Sequence, residues 1–141
     1  MDYTELAKQF LNNTYQFRKG RQQKKIDDTM HGEAFVIMYI SKRDGDVLPS
    51  EISNKMNISS ARVAAALNSL ENKGLITRTM DPDDRRRILV DLTPEGKELA
   101  KSYEQKALDG AKQMLELLGE QDAREFVRIL GKLAKLSSEQ S

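Results

Sequence analysis

Residues 50–96 read SEISNKMNISSARVAAALNSLENKGLITRTMDPDDRRRILVDLTPEG, and the changes of pattern within them set the fold. From Ser50 to Met56 the apolar residues Ile52 and Met56 stand one helical turn apart. Asn57-Ile58-Ser59 then reads as a turn, and Ser59 is placed to cap a second helix running to about Lys73, where Gly74 supplies a left-handed stop. On that second helix Val63, Leu67 and Leu70 fall on one face. The opposite face holds Ala61, Arg62, Ala65, Asn68 and Ser69, all able to come close to another surface without bulky apolar groups. Leu75 to Met80 and Arg87 to Thr93 are rich in Ile, Thr, Leu and Val, and Ile88, Val90 and Leu92 alternate with Leu89 and Asp91 as in a strand with one buried face. Asp81-Pro82-Asp83-Asp84-Arg85-Arg86 joins the two runs, with Pro82 suited to the second position of a turn. The order is a helix-turn-helix followed by a charged hairpin, or wing.

Outward from this stretch the chain reads as helical scaffold. Tyr3, Leu6, Ala7, Phe10, Thr14 and Phe17 recur at steps of three and four, an amphipathic helix with one apolar stripe. Its end is basic through Arg18, Lys19, Arg21, Lys24 and Lys25, which reads either as a solvated helix terminus or as a second phosphate contact. Glu33 to Lys42 is apolar on nearly every face and should be central. Asp44-Gly45-Asp46 stops it, and Pro49 suits the first position of the next helix. Thr93-Pro94-Glu95 opens a long helix with cap, proline and acid in the favoured order. Its stripe runs through Leu99, Tyr103, Ala107, Ala111, Met114, Leu115 and Leu118 to a break at Gly119. A last helix over 120–136 should bury Phe126, Val127, Ile129, Leu130, Leu133 and Ala134, with 137–141 frayed. The chain thus divides into an N-terminal helical region (1–30), a winged helix-turn-helix (31–96) and C-terminal helices (97–141).

Composition narrows the function. A hydrophobic fraction of 38% against 32% charged is lean for a self-contained globule of 141 residues and suits amphipathic helices that complete their burial against a second copy. Net charge is only +1, so any argument for nucleic acid rests on local clustering. The absence of Cys excludes disulfides and thiol-based redox sensing. No apolar run reaches membrane-span length and the N-terminus carries an acid, so a soluble cytoplasmic protein without a membrane partner is expected. There is no nucleophile motif or phosphate-cradling glycine loop, so neither an enzyme nor a cofactor is expected. His31, with Asp27, Asp28 and Glu33, has the ligand chemistry for zinc or manganese, but a single imidazole reads more simply as a helix-start residue.

The hairpin tip is more telling. Arg85, Arg86 and Arg87 follow Asp83 and Asp84, and a projecting guanidinium can enter a narrow minor groove, where negative potential is enhanced. The neighbouring acids would hold an arginine extended by a charge-assisted bond and so lower the entropy lost on insertion. Joined to a helix-turn-helix within one stretch, these features point to duplex DNA.

On SEISNKMNIS, LENKGLITR, DPDDRRRILVDLT and TPEG the chain resembles the MarR (multiple antibiotic resistance regulator) family of winged helix-turn-helix transcriptional regulators, with flanking helices that agree in number and order. The resemblance implies a mainly α fold with a small β-hairpin wing. It also implies a homodimer held by N- and C-terminal helices, and a repressor bound to a pseudo-palindromic operator and relieved by a small phenolic or aromatic acid. By similarity Asp84 and Arg86 are the wing-tip pair, flanked by Arg85 and Arg87. On the recognition helix the DNA-contacting positions are Ser59, Ser60, Ala61, Arg62, Ala64, Ala65, Asn68 and Ser69. Relatives often carry hydroxyl or arginine side chains where this chain has Ala64, Ala65 and Ser69, which leaves Arg62 as the strong donor near the helix start and shifts specificity toward the wing and DNA shape. Candidate effector-pocket residues are Phe10, Tyr15, Phe17, His31, Phe35 and Tyr39. The competing readings are a winged-helix module that binds protein, as an antirepressor would, and a metal-responsive regulator using His31.

Overall fold

A computed structural model describes the backbone of residues 1–21 and 28–140 and the side chains of 1–20 and 32–140. The elements are α1 (Thr4–Arg21), α2 (Asp28–Lys42), α3 (Pro49–Met56), α4 (Ser60–Asn72), β1 (Ile76–Met80), β2 (Ile88–Leu92), α5 (Pro94–Leu118) and α6 (Glu120–Glu139). This is the expected mainly helical architecture with one antiparallel hairpin, paired from Ile76 opposite Leu92 to Met80 opposite Ile88. Two boundaries differ from the sequence reading. The second helix starts at Asp28, ahead of Glu33, because a helix once nucleated continues through a residue such as Gly32 at modest cost. The last helix continues to Glu139, past the residues expected to fray, with the Ser138 hydroxyl donating to the Lys135 carbonyl one turn back at 2.8 Å.

The core lies under the winged helix-turn-helix. Val36, Ile37 and Ile40 of α2, Ile52 of α3, Val63, Leu67 and Leu70 of α4, Ile76 of β1 and Val90 and Leu92 of β2 form one buried cluster. The expected inward face of α4 is therefore the face that packs. Val47, in the connection between α2 and α3, exchanges backbone hydrogen bonds with Val90 at 2.9 and 2.8 Å and adds a short third rung to the hairpin. The turn between α3 and α4 is fixed locally: Asn57 adopts a left-handed φ of 54°, and the Ser53 hydroxyl donates to the Ile58 carbonyl at 2.7 Å.

The α5 start explains the TPEG motif. Thr93 Oγ1 accepts from the Gly96 amide at 3.0 Å and donates to the Gly74 carbonyl at 2.7 Å, while the Thr93 amide donates to Leu75 O at 3.1 Å. One threonine thereby caps α5 and ties it to the exit of α4. The two backbones approach so closely that a Cβ on Gly96 would overlap the Leu75 carbonyl oxygen.

The flanking helices are a different matter. The expected burial of Phe126, Val127, Ile129, Leu130 and Leu133 does not occur within one chain: each stays about half exposed, Ala134 is exposed too, and no residue of α6 is buried. Among the described residues α1 lays no extended face against the rest of the chain, and Phe10 and Leu11 are 63% and 65% exposed. The apolar stripes read from the sequence exist, but the surface that would cover them is not found among the described residues of the same chain.

Gly96→Ala should lower stability by about 1–3 kcal/mol, since the added methyl meets backbone that cannot rotate away. Urea denaturation should show a lower midpoint at unchanged slope. Wild-type stability would mean that α5 can back away from Leu75 freely.

Candidate nucleic-acid interface

The recognition helix is α4. Ser59 caps it by accepting from the Arg62 amide at 3.2 Å, and the chain leaves it through Gly74 at φ +74°. With about 100° between successive residues, and Val63, Leu67 and Leu70 turned inward, the outermost stripe is Ala61, Ala65, Asn68 and Asn72, all exposed. Ser60 and Ala64 are also exposed, at the start of the helix and toward the wing. Arg62 and Ser69 sit on the other flank. They line a cavity of about 260 Å³ together with Ala65, Ala66, Gly32, Glu33, Met56 and Ile58, and by its place on the helix the Arg62 guanidinium expected at the base edges starts from the side.

Two ion pairs fix the end of α4. Lys73 Nζ lies 2.7 Å from Glu33 Oε2, whose side chain is only 9% exposed, and this joins the helix to the first turns of α2. On the other side Arg78 of β1 holds Glu71 through two nitrogens, at 2.8 and 3.3 Å. This bidentate bond pushes the Glu71 carboxyl below the usual range and the Arg78 guanidinium above its own. Helix and wing are thereby tied into one body, a link no sequence pattern announces because the partners are far apart along the chain or on elements of different type. A further carboxylate, Glu51 on α3, accepts from the Tyr39 hydroxyl at 3.1 Å and lies 3.4 Å from Arg43.

The wing tip sorts its charges. Asp81 is buried at the base of the turn, where it accepts from the Asp83 amide at 2.9 Å and faces the Arg87 guanidinium at 3.7 Å. Arg87 is therefore folded back on the hairpin. Asp84 takes Arg86 in three ways: from its backbone amide at 3.0 Å, from Nε at 3.2 Å and from the terminal nitrogen at 3.4 Å. Arg86 remains 91% exposed at its side chain, a cation whose guanidinium is held by Asp84 on one edge and open to solvent elsewhere. The Arg86 side chain first, and its backbone amide second, hold the Asp84 carboxyl below the ordinary carboxylate range. Arg85 is exposed beside them.

The other candidates are not gathered together. Phe10, Tyr15 and Phe17 stand exposed on α1, while Phe35 and Tyr39 stack on each other on α2 with centroids 6.3 Å apart. His31 and Asp28 fall on the α2 backbone with side chains outside the described residues, as does the Arg21 side chain, and Lys24, Lys25 and Asp27 lie outside them altogether. Asn72, not among the residues singled out from the sequence, stands on the same exposed stripe four residues after Asn68.

Comparison with known proteins places this geometry. A family model described as MarR family matches residues 28–87, which hold α2, α3, α4, β1 and the wing tip. The chain is 32% identical to the HTH-type transcriptional regulator YdgJ of Bacillus subtilis over 62% of its own length and 54% of the relative's, so the match spans about half of that protein. It is 28% identical to the HTH-type transcriptional repressor NicR of Pseudomonas putida, over 96% of this chain and 84% of that one. Among solved structures, FabT of Streptococcus pneumoniae, crystallised with DNA, superposes with a TM-score of 0.63 at 22% identity, covering 99% of this chain and 100% of its own. A MarR transcriptional regulator of Methanosarcina mazei gives 0.68 at 19% identity over 94% of this chain and 99% of that one. The structural likenesses speak for the fold, the family match for the segment that carries the exposed arginine and the recognition helix. Through that segment the chain is similar to the MarR family of winged helix-turn-helix proteins.

Proposed function

We propose that the protein is a dimeric transcriptional repressor that binds a pseudo-palindromic operator, each protomer laying α4 in the major groove and the wing tip in the adjacent minor groove. The observation that carries this reading is Arg86, 91% exposed at its side chain with its guanidinium held by Asp84, beside a recognition helix whose outward stripe begins with two alanines. A pre-extended guanidinium loses little side-chain entropy on entering a narrow groove. The relatives support the same reading by name, YdgJ as a transcriptional regulator and NicR as a repressor, and FabT was crystallised with DNA.

Dimerisation is the second half of the proposal. The apolar stripe of α6 and the exposed aromatics of α1 flank the winged core in sequence and are uncovered in one chain, and a second copy supplies matching stripes by symmetry. Relief by a phenolic or aromatic acid belongs to the same reading and rests on the family resemblance. Aromatic surface for it is offered by Phe10, Tyr15, Phe17 and the Phe35–Tyr39 stack.

Three measurements test the proposal. Sedimentation equilibrium should give twice the chain mass, and Leu130→Lys with Leu133→Lys should shift it toward monomer; a wild-type monomer at micromolar concentration would sink the dimer. In gel shifts with genomic fragments selected by the protein, Arg86→Ala should weaken binding by about 1–3 kcal/mol. Binding that did not fall steeply with added salt, or an unaffected variant, would favour a protein-binding module. The third measurement is titration of the Asp84 carboxyl by NMR. A carboxylate whose pKa is lowered on folding adds stability above its unfolded pKa and loses it as pH falls through the folded value. The wing pair should therefore loosen only in acid, and Arg86→Ala should move the Asp84 titration up toward the ordinary range.

A further inference from the structure

The polar side chains along α4 are not equally available. Ser59 is engaged as the cap, Glu71 holds Arg78, Lys73 holds Glu33, and Arg62 and Ser69 lie on the α2 flank of the helix, off the outward stripe, where they border a cavity that Ala65 also lines. Ser60 opens the helix on the side turned from the outward stripe. What remains on that stripe is Asn68 and Asn72, exposed and without a hydrogen-bond partner among the described residues, preceded along the same line by Ala61 and Ala65.

We propose that Asn68 and Asn72 are the base-reading pair of this protein and that each reads an adenine in the major groove. This rests on the DNA-binding reading above. A carboxamide presents one acceptor and one donor side by side, which matches the N6 donor and N7 acceptor of adenine, whereas guanine offers two acceptors on that edge. The methyl-sized side chains of Ala61 and Ala65 let the helix sit deep enough for an amide to reach base edges, and they suit thymine methyl groups in the preceding positions. The spacing is set by the helix. Four residues advance the axis by about 6 Å, against about 3.4 Å per base pair, so the two adenines should lie about two base pairs apart in each half-site. The clamps from Lys73 to Glu33 and from Glu71 to Arg78 hold the half of α4 that carries both amides, which keeps them in register with the wing.

The test is selection of bound duplexes from a library with randomised half-sites, run on the full-length wild type and on Asn68→Ala and Asn72→Ala. The wild type should select A·T pairs about two steps apart in each half-site. Each alanine variant should flatten one of the two positions and leave the other, and preference for A·T over G·C at the flattened position should fall roughly five- to hundred-fold. Unchanged base preferences in both variants would overturn the assignment, and so would uniform weakening on all sequences, which marks phosphate contact. Guanine selected by the wild type at either position would overturn it as well. Those outcomes leave the DNA-binding reading standing, whereas a wild type that binds no duplex defeats both.

Discussion

The inner stripe of the recognition helix is the constraint on which the rest depends. Val63, Leu67 and Leu70 are each about 1% exposed and share one cluster with Ile37 and Ile40 of α2 and Ile52 of α3. Full burial of such side chains is worth about 1.5–3 kcal/mol each. That anchoring frees the outer face of the helix from any part in holding the fold. A face of Ala61, Ala65, Asn68 and Asn72 would be a poor packing surface, and it is tolerated because nothing in this chain has to pack there.

Charge is used locally. A chain with net charge of only +1 has no broad basic footprint, and several of its cations around the site are already paired: Lys73 with Glu33, Arg78 with Glu71, Arg87 with Asp81. The half-exposed pairs add little stability individually, because solvent screens them. Their effect is positional. Arg85 and the Asp84-bound Arg86 stay exposed at the wing tip, and the other pairs fix α4, α2 and β1 relative to one another. In the proposed complex, long-range steering of DNA should accordingly be weak, with local fit deciding the outcome.

The fold also divides the labour of burial unequally. The winged core closes on itself, with α2 in its middle and the α5 start sewn to the α4 exit by Thr93 and Gly96. The helices that flank it hold apolar residues without cover, on α1 and along the whole of α6. In the proposed dimer the spacing between the two recognition helices is then set by the least self-sufficient part of the chain.

Much of this was legible in the sequence because it depends on short-range periodicity. A repeat of three to four put Val63, Leu67 and Leu70 inside, a repeat of two put Val90 and Leu92 inside, and Ser59, Gly74, Thr93 and Pro94 punctuated the elements through their own backbone chemistry. The family resemblance also linked Asp84 to Arg86, two residues on. Tertiary structure decided what local spacing does not encode. It chose which of three consecutive arginines folds back and which projects, paired Glu33 with a lysine 40 residues away, turned Arg62 to the flank, and left the stripes of α1 and α6 uncovered. The reason is physical: a helix or hairpin carries its own hydrogen-bond pattern and so writes its period into the sequence, while an ion pair or an apolar contact between elements needs only that two side chains arrive at the same place.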